Sequence, residues 1–261
     1  MVQTYGNHRP RRVQWGWYKR STPIRARCLR AGCPSLHRAQ TAGVRPVTVL
    51  PSLLSADFGH LADDLARCAA AGARLLHVDV MDGHFVPNLT IGPFIVAAIR
   101  RCTALHLDVH LMMTDPLRYV RDFREAGADT LYIHVEAIGP RAMTAAIAQV
   151  RATGAKVGLA LNPDTDPELW FPHFAAIDVV MFMTVYPGFG GQSFIPQVRP
   201  RIRATRAAFP SLPIQVDGGI NRETIPLVLA DGADRLVTGN AFFKDADPAG
   251  FLRWAEGLQA S

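Results

Sequence analysis

The sequence predicts a single (β/α)8 barrel, and two observations lead to this fold class. Short apolar segments rich in β-branched residues alternate with helical stretches from residue 47 onward. A Gly-Ala pair followed by an apolar run also recurs, at spacings of 55, 27 and 78 residues; its glycines are Gly72, Gly127, Gly154 and Gly232. These spacings are close to two, one and three copies of about 27 residues, a length suited to one βα unit.

The length of the repeating region sets the number of units. Residues 47–261 comprise 215 residues, which is enough for about eight βα units. Eight is the number that closes a parallel barrel. An open doubly wound sheet would show the same alternation of strands and helices and is the alternative. Eight evenly spaced units exceed what such a sheet usually needs, so the barrel is favoured.

Each element of the barrel follows from a local signal. The apolar runs predict strands at 47–51, 75–80, 105–111, 130–135, 156–161, 178–184, 213–217 and 235–238. Helices fill the intervals, and the stretch 116–126 is representative. It begins with proline and is followed by glycine, which are helix start and stop signals. The glycine of each Gly-Ala pair is expected to end its helix in the left-handed conformation.

The composition is that of one soluble domain. Hydrophobic residues make up 49% of the chain and charged residues 19%, and no apolar run reaches the ~18–20 residues of a membrane span. No Cys-x-x-Cys pair is formed by the four cysteines, Cys28, Cys33, Cys68 and Cys102. We therefore expect a cytoplasmic protein without a disulfide framework and without a membrane partner.

Residues 1–46 differ from the rest in charge. They contain 10 of the 28 basic residues and none of the 22 acidic ones. Three interpretations compete: a translated stretch upstream of the true start, an Arg-rich transit peptide for organelle import, and a basic arm that touches nucleic acid. Little periodicity and four prolines (Pro10, Pro23, Pro34 and Pro46) predict a disordered extension. The domain prediction is thus an extension at 1–46 and a catalytic barrel at 47–261.

Polar residues at strand ends form the candidate site. His77 and Asp79 close the second predicted strand, His110 closes the third and Asp217 the seventh. The C-terminal ends of parallel barrel strands share one rim, where catalysis occurs. Strand residues two apart face the same side, so His77 and Asp79 point together. Two imidazoles and two carboxylates at one rim predict a divalent-metal site, because burying them without a metal or other partners would be costly.

Two neighbouring sets of residues have secondary roles in this prediction. Asp108 shares a strand face with His110 and is a candidate for fixing the tautomer of that imidazole. His134-x-Glu136 follows the fourth strand with the spacing of a ligand pair, and we assign it a supporting or structural role instead. Mixed imidazole and carboxylate donors suit Zn²⁺, Fe²⁺, Mn²⁺ or Co²⁺ better than Mg²⁺, and they do not select one of these.

Glycines at the same rim indicate a phosphate site. Three consecutive units carry them after the strand, namely Gly188, Gly190 and Gly191, then Gly218 and Gly219, then Gly239. Glycine lets backbone N–H groups approach an anion closely, and the loops after the last strands are the frequent phosphate site of such barrels. Plain turn chemistry is the alternative interpretation; it would explain a single Gly-Gly pair, and three consecutive units favour a phosphate site over turns alone. No Walker-type Gly-Lys-Ser is present, which argues against nucleotide hydrolysis.

These residues lie in segments that resemble the ribulose-phosphate 3-epimerase family over essentially all of 47–261. The segments are PSLLSAD at 51–57, HVDVMDGHFVPN at 77–88, DVHLMM at 108–113, IHVEA at 133–137, MTVYPGFGGQSFI at 183–195, VDGGI at 216–220 and TGNAFF at 238–243. The resemblance implies interconversion of D-ribulose 5-phosphate and D-xylulose 5-phosphate, a reaction of the pentose phosphate pathway. It implies one divalent metal held by His77, Asp79, His110 and Asp217, with the two aspartates as acid and base.

The resemblance also implies substrate contacts. Ser52 and His110 are expected to contact the sugar, and Met81, Met112 and Met183 to form an apolar wall around the reacting carbon. The rim glycines, together with Asn240, are expected to hold the phosphate. Two residues depart from the family pattern. Tyr186 stands where asparagine or glutamate is expected, and Asn240 stands where serine is usual; since Asn240 can still donate through its backbone, we expect altered contacts rather than lost binding.

Other functions remain open from the sequence. The nearest is a 3-epimerase of a six-carbon ketose phosphate such as allulose 6-phosphate, against which PGFGGQ at 187–192 argues weakly. A non-catalytic phosphosugar-binding barrel would be supported by loss of Asp79 or Asp217, and both are present. A nucleic-acid-binding module depends on the extension alone, without base-stacking aromatics on a basic face of the folded part, and we expect no nucleic-acid partner. The sequence leaves the metal, a homo-oligomeric state and the true start undetermined.

Overall fold

The computed structural model describes residues 45–259 of the chain. Of the predicted extension at 1–46, only Arg45 and Pro46 fall within this range, so the prediction of disorder lies outside the described residues. Cys68 and Cys102 are the two cysteines in the described part, and both are free. Within residues 45–259, no helix combines the length and the apolar character required to cross a bilayer.

Eight parallel strands form the sheet, as predicted. They are β1 (Thr48–Pro51), β2 (Leu75–Met81), β3 (His106–Met112), β4 (Thr130–His134), β5 (Lys156–Leu161), β6 (Val179–Met183), β7 (Ile214–Asp217) and β8 (Arg235–Thr238). Their order in the sheet is β1-β8-β7-β6-β5-β4-β3-β2. A parallel bridge between Ser52 and His77 joins the two outer strands. The sheet therefore closes into a barrel, and the alternative of an open doubly wound sheet is wrong.

Helices occupy the intervals between the strands. They are α1 (Leu61–Ala71), α2 (Pro93–Cys102), α3 (Val120–Glu125), α4 (Val135–Ile138), α5 (Met143–Arg151), α6 (Phe171–Phe174), α7 (Arg199–Ala208), α8 (Ile225–Ala230), α9 (Asn240–Phe243) and α10 (Pro248–Glu256). Short 3-10 turns, such as Pro116–Arg118 before α3, complete several of the connections. The helix predicted at 116–126 is thus a 3-10 turn followed by an α-helix.

Helix ends confirm the glycine prediction. Gly72, Gly127, Gly154 and Gly232 have φ values of +96°, +112°, +83° and +99°, in the region that side chains rarely adopt. At Gly232 there is also no room for a side chain, because an added Cβ would lie 2.6 Å from Cγ of Arg206. The repeated Gly-Ala pair therefore marks the point where each helix turns into the next strand.

Carboxylates hold the N-terminal ends of the odd-numbered strands. Near the start of β3, β5 and β7, a backbone N–H donates to the residue that precedes the next strand: Leu107 to Asp129 (2.9 Å), Val157 to Asp178 (2.8 Å) and Ile214 to Asp234 (3.0 Å). In β1, the N–H of Val49 donates to Glu256 of α10 at 3.1 Å. Every odd-numbered strand thus begins with one backbone donor bound to a carboxylate.

Each of these carboxylates also pairs with an arginine. The pairs are Arg100 with Asp129 (3.0 Å), Arg151 with Asp178 (3.1 Å), Arg206 with Asp234 (2.7 Å) and Arg74 with Glu256 (3.1 Å). Three of the arginines come from the helix that precedes the odd strand, and Arg74 lies directly before β2. We call this set of four carboxylate–arginine pairs the base of the barrel. It lies at the N-terminal ends of the strands, opposite the rim.

Strand register brings the candidate site residues level with one another. In the β2–β3 ladder, Asp79 lies beside His110 and Met81 beside Met112. In the β6–β7 ladder, Met183 lies beside Asp217. All six are at or near the C-terminal ends of their strands, so the barrel delivers them to one rim.

Candidate functional site

The structure brings the four predicted metal ligands together. One ligand atom from each of His77, Asp79, His110 and Asp217 lies within 4.8 Å of the others. Nε2 of His77 is 3.3 Å from Oδ1 of Asp79 and 3.5 Å from Oδ2 of Asp217. Nδ1 of His110 is 3.2 Å and 3.7 Å from the same two oxygens. Two nitrogens and two oxygens therefore face a common centre.

This donor set fits a divalent cation. Both histidines are fully buried, and Nε2 of His77 is a buried atom that has no hydrogen-bond partner among the described residues. A buried polar atom without a partner is costly, and a cation at the common centre would provide one. Two imidazoles with two carboxylates are a common set for Zn²⁺, Fe²⁺, Mn²⁺ and Co²⁺. The cluster could thus hold one divalent ion.

The charges of this cluster are strongly coupled. Burial disfavours the charged form of His77, but the carboxylates of Asp79 and Asp217 outweigh it and raise the pKa of the imidazole well above its usual value. Burial also acts against ionised Asp79, but His77 and His110 hold its pKa below the usual value. Asp79 is therefore an ionised carboxylate at neutral pH, able to accept a proton or bind a cation.

Ser52 fixes the second oxygen of Asp79. The hydroxyl of Ser52 donates to Oδ2 of Asp79 at 2.7 Å and itself accepts from the backbone N–H of Leu54 at 3.3 Å. Oδ1 of the carboxylate is left to face the two histidines. Ser52 was predicted as a substrate contact, and the structure places it both at the site and in contact with Asp79.

The far side of His110 contacts His134 rather than Asp108. Nε2 of His110 lies 2.8 Å from Nε2 of His134, and Nδ1 of His134 lies 3.0 Å from Oε2 of Glu136. Burial lowers the pKa of His134 to about 4, against the opposing effect of Glu136. His134 is not one of the four clustered groups, in agreement with the supporting role that the sequence analysis gave this pair.

The expectation for Asp108 is wrong. Asp108 is fully buried one layer below His110, where Oδ2 accepts the hydroxyl of Tyr132 at 2.8 Å. Tyr132 also lies 2.9 Å from the amide of Gln215, whose amide nitrogen is 3.5 Å from Nδ1 of His77. Asp108 therefore belongs to a polar network inside the barrel, beneath His77, and does not contact the imidazole of His110.

A cavity of about 370 Å³ opens above the four clustered groups. His77 and His110 lie beneath it. The predicted residues that line it are Ser52, Asp79, Met81, Met112, Met183, Gly188, Gly190, Gly191, Asp217, Gly218, Gly219, Gly239 and Asn240. The volume is within the range of sites for small molecules. All the predicted substrate contacts thus lie in this cavity or at its floor.

The three predicted methionines line the cavity from two separate apolar clusters. Met81, Met112 and Met183 are nearly fully buried. Met81 and Met112 pack with Val86, while Met183 belongs to a separate cluster with Val185. Each methionine lies beside a clustered ligand in sequence or register, so the side chains flank the floor of the cavity rather than filling a remote part of the core.

Two of the rim glycines, Gly218 and Gly219, are positions where a side chain would not fit. An added Cβ on Gly218 would lie 2.3 Å from Cγ2 of Val185, and one on Gly219 would lie 2.6 Å from the backbone nitrogen of Phe194. Both residues also have positive φ values, +117° and +64°. The backbone here comes close to the cavity, as a site for an anion requires.

Sequence reasoning missed residues that shape this rim. Gln192 donates from its amide to the carbonyls of Tyr186 (2.7 Å) and Phe189 (2.8 Å), which holds the loop after β6 in place. Ser55 lies against Gly239, with Oγ 2.4 Å from the position of an added Cβ. Both residues occur in segments already singled out, PGFGGQ and PSLLSAD, so the segments were identified but these side chains were not.

The two departures from the family pattern lie at different places. Tyr186 does not line the cavity; it is half exposed, and its hydroxyl donates to Asp164. Asn240 does line the cavity, and its amide nitrogen would be 3.1 Å from a Cβ on Gly191. Of the two, Asn240 is therefore the residue placed to contact a bound molecule.

Comparisons with known proteins agree with this site. The model of the "Ribulose-phosphate 3 epimerase family" matches residues 48–243. A ribulose-phosphate 3-epimerase of Bacillus subtilis (strain 168) is 47% identical over 206 residues, which cover 77% of this chain and 94% of the relative. The cytoplasmic isoform of ribulose-phosphate 3-epimerase from Oryza sativa subsp. japonica is 41% identical over 210 residues, which cover 79% of this chain and 92% of the relative.

Solved structures share the fold at lower identity. 3-Hexulose-6-phosphate synthase superimposes with a TM-score of 0.59 at 20% identity, over 82% of this chain and 99% of its own. KGPDC from Streptococcus mutans superimposes with a TM-score of 0.61 at 14% identity, over 82% of this chain and 96% of its own. At these identities the structures support the (β/α)8 fold alone.

Fold and site together define a class: a (β/α)8-barrel protein with two histidines and two aspartates at the C-terminal rim. Within that class, the family match and the relatives are decisive. The chain belongs to the ribulose-phosphate 3-epimerase family, and it is an epimerase of the isomerase class.

Proposed function

We propose that this chain interconverts D-ribulose 5-phosphate and D-xylulose 5-phosphate by inverting carbon 3. The observation that carries the proposal is the convergence of Asp79 from β2 and Asp217 from β7 on one cavity floor, beside two histidines. Inversion requires one group to remove a proton and another to return one on the opposite face. Two carboxylates reaching the cavity from strands that lie three positions apart in the barrel suit this task.

The two aspartates perform the proton transfers. The carbon-bound proton is acidic because it lies next to the ketone, and an ionised carboxylate such as Asp79 removes it to leave an enediolate. The other aspartate, protonated, returns a proton to the opposite face. In the reverse reaction the two carboxylates exchange roles. Ser52 keeps the reacting oxygens of Asp79 in place through its 2.7 Å hydrogen bond.

One divalent cation, Zn²⁺, Fe²⁺, Mn²⁺ or Co²⁺, completes the proposal. His77, Asp79, His110 and Asp217 would hold it. When bound, it would supply positive charge that stabilises the negative charge developing on the substrate oxygens.

The remaining cavity residues bind the substrate. Backbone N–H groups at Gly190, Gly191, Gly218, Gly219, Gly239 and Asn240 are proposed to hold the phosphate, with Gly188 shaping the same loop, so the sugar extends from the rim to the cavity floor. Met81, Met112 and Met183 exclude water from the reacting carbon, which strengthens the electrostatic interactions there. Ser52 contacts the sugar oxygens from below, and the ring of His110 lies beneath the same end of the sugar.

A substrate comparison tests this proposal. The purified full-length chain is assayed on D-ribulose 5-phosphate and on allulose 6-phosphate, and the metal content of the same sample is measured. We expect a kcat/KM for the pentose phosphate at least tenfold higher, with about one equivalent of a transition metal. Preference for the six-carbon sugar would replace the substrate assignment, and absence of turnover on both would contradict the proposed reaction.

A further inference from the structure

The non-ligating nitrogens of the two site histidines have different surroundings. Nδ1 of His77 lies 3.5 Å from the amide nitrogen of Gln215, a long contact to a neutral group. Nε2 of His110 lies 2.8 Å from Nε2 of His134, and the two rings are inclined by only 27° with their centroids 5.0 Å apart, so they meet edge to edge. His134 in turn contacts Glu136 at 3.0 Å. From His110, a chain of two short contacts leads to the carboxylate of Glu136. The path from His77 to the carboxylate of Asp108 is longer, because it passes through Gln215 and Tyr132 and begins with the 3.5 Å contact.

Counting protons gives this chain a direction. Nδ1 of His110 faces the cluster and needs a free lone pair to bind a cation, so a neutral His110 carries its proton on Nε2. That N–H can donate only if Nε2 of His134 is an acceptor. His134 must then carry its own proton on Nδ1, where it donates to Glu136. Each donor meets an acceptor in this order and in no other neutral arrangement.

Glu136 is held as the acceptor at the end of the chain. Its second oxygen, Oε1, accepts the backbone N–H of Asn162 at 2.8 Å and the hydroxyl of Thr165. These contacts, with His134, outweigh the effect of burial and lower the pKa of the carboxyl below its usual value. An ionised carboxylate has no proton to donate, so it can only accept the N–H of His134. The direction of donation along the hydrogen bonds from His110 through His134 therefore depends on Glu136.

We propose that His134 and Glu136 are positioning residues that fix the tautomer of His110 with Nδ1 toward the metal, and that they raise metal affinity through it. This inference rests on the metal site of the proposed function. Carboxylates that bind a ligating histidine orient its ring and raise its basicity. Here a second histidine is inserted between the carboxylate and the ligand. The residues come from β4 and α4, which contribute no ligand of their own.

The test uses Glu136→Gln with Glu125→Gln as its matched control. Glu125 undergoes the same chemical change, but it is exposed on α3 and pairs only with Arg121 of the same helix among the contacts of the described residues. Metal-free full-length proteins are titrated with Co²⁺ in competition with a chromophoric chelator, and the absorption spectrum of the bound Co²⁺ is recorded. Far-UV circular dichroism checks that each variant is folded.

We expect Glu136→Gln to weaken Co²⁺ binding about 10- to 100-fold and to change the Co²⁺ spectrum, with Glu125→Gln unchanged. Histidine ¹⁵N NMR of the metal-free wild type should show His134 with its proton on Nδ1. Equal Co²⁺ affinity and spectrum in wild type and Glu136→Gln, or a proton on Nε2 of His134, would overturn the positioning role while leaving the proposed function intact. A wild type that binds no Co²⁺ would overturn the metal site and the positioning role together.

Discussion

The two ends of the barrel use carboxylates in opposite ways. At the base, Asp129, Asp178 and Asp234 each bind an arginine and a backbone N–H. At the rim, the ion pairs that Asp79 and Asp217 make within residues 45–259 are with His77 and His110. The same residue type therefore meets a permanent cation at one end and titratable imidazoles at the other.

This difference separates stability from function. A carboxylate at the base of the barrel already has an arginine and a backbone N–H as partners, so its charge is balanced and its geometry is fixed. The rim carboxylates have partners that gain and lose protons, and both line an open cavity. Those properties allow a carboxylate to transfer a proton or bind a metal. In parallel barrels the C-terminal ends of strands carry activity and the N-terminal ends carry stability, and here that division follows from the partners of each carboxylate.

The largest predicted effect is the loss of activity when a carboxylate at the rim is substituted; a substitution at the base of the barrel serves as the control. Asp79→Asn or Asp217→Asn should reduce kcat/KM at least about 10³-fold, because each change removes a proton-transfer group and weakens a metal ligand. Asp178→Asn at the base is the control and should leave kcat/KM within about twofold. Steady-state kinetics measure all three, and circular dichroism confirms the fold. Near-normal turnover in either rim variant would contradict the two-base mechanism.

Removing the metal tests the rim without changing the sequence. Dialysis against a chelator should lower kcat at least about 100-fold, since charge stabilisation by a metal is worth several kcal/mol. Adding Zn²⁺, Mn²⁺, Fe²⁺ or Co²⁺ should restore activity. The melting temperature of the metal-free protein should remain well above the assay temperature, because it depends on the carboxylate–arginine pairs at the base of the barrel. Full activity in a sample shown by elemental analysis to be free of metal would rule out this role.

Removing a carboxylate from the base of the barrel should cost more stability when its arginine partner is more deeply buried. Asp234→Ala leaves Arg206, a side chain only 10% exposed, without its carboxylate, which should cost about 3 kcal/mol. Asp178→Ala frees Arg151, which is 50% exposed, and should cost about 1 kcal/mol. These values correspond to decreases of roughly 6–12 °C and 2–4 °C in Tm, measured by thermal denaturation. Equal losses in the two variants would show that burial does not set the value of these pairs.

The sequence was sufficient for the fold because its signals are local. All eight predicted strands lie within one residue of the observed bounds at each end. Apolar periodicity and the glycine after each helix act over a few residues, so they can be recognised without knowledge of tertiary structure. The four clustered groups were also predictable, because parallel strands deliver their last residues to one rim whatever the details of packing.

The partners of those groups could not be predicted in the same way. Alternation along β3 shows that Asp108 and His110 share a face, but it does not show that they lie in different layers of the barrel interior. The partner of His110 depends on the β3–β4 register, which places Tyr132 beside His110 and His134 further along the same strand. Register between strands is a tertiary property, so Asp108 was assigned to the wrong imidazole.

The smallest predicted effect concerns Arg45, which precedes β1 and contacts Asp234 at the base of the barrel. Its guanidinium donates to the carbonyl of Pro210 at 3.3 Å and lies 3.7 Å from Oδ2 of Asp234. Deleting residues 1–44 keeps these contacts and should leave Tm and turnover unchanged, since the described barrel contains all eight strands and the whole candidate site. Deleting residues 1–46 also removes Arg45, whose side chain is 28% exposed, and should cost at most about 1 kcal/mol.

Comparing these two deletions distinguishes an effect on the base of the barrel, seen in Tm, from an effect on the rim, seen in turnover. Because Arg45 contacts Asp234 and Pro210, which precede β8 and β7 at the end of the barrel opposite the rim, its loss should lower Tm by a few degrees and leave kcat and KM unchanged. Thermal denaturation and steady-state kinetics on the full-length chain and both deletions measure this. Lower turnover after removal of 1–44 would mean that the extension contributes to the rim, and the prediction of a dispensable extension would be wrong.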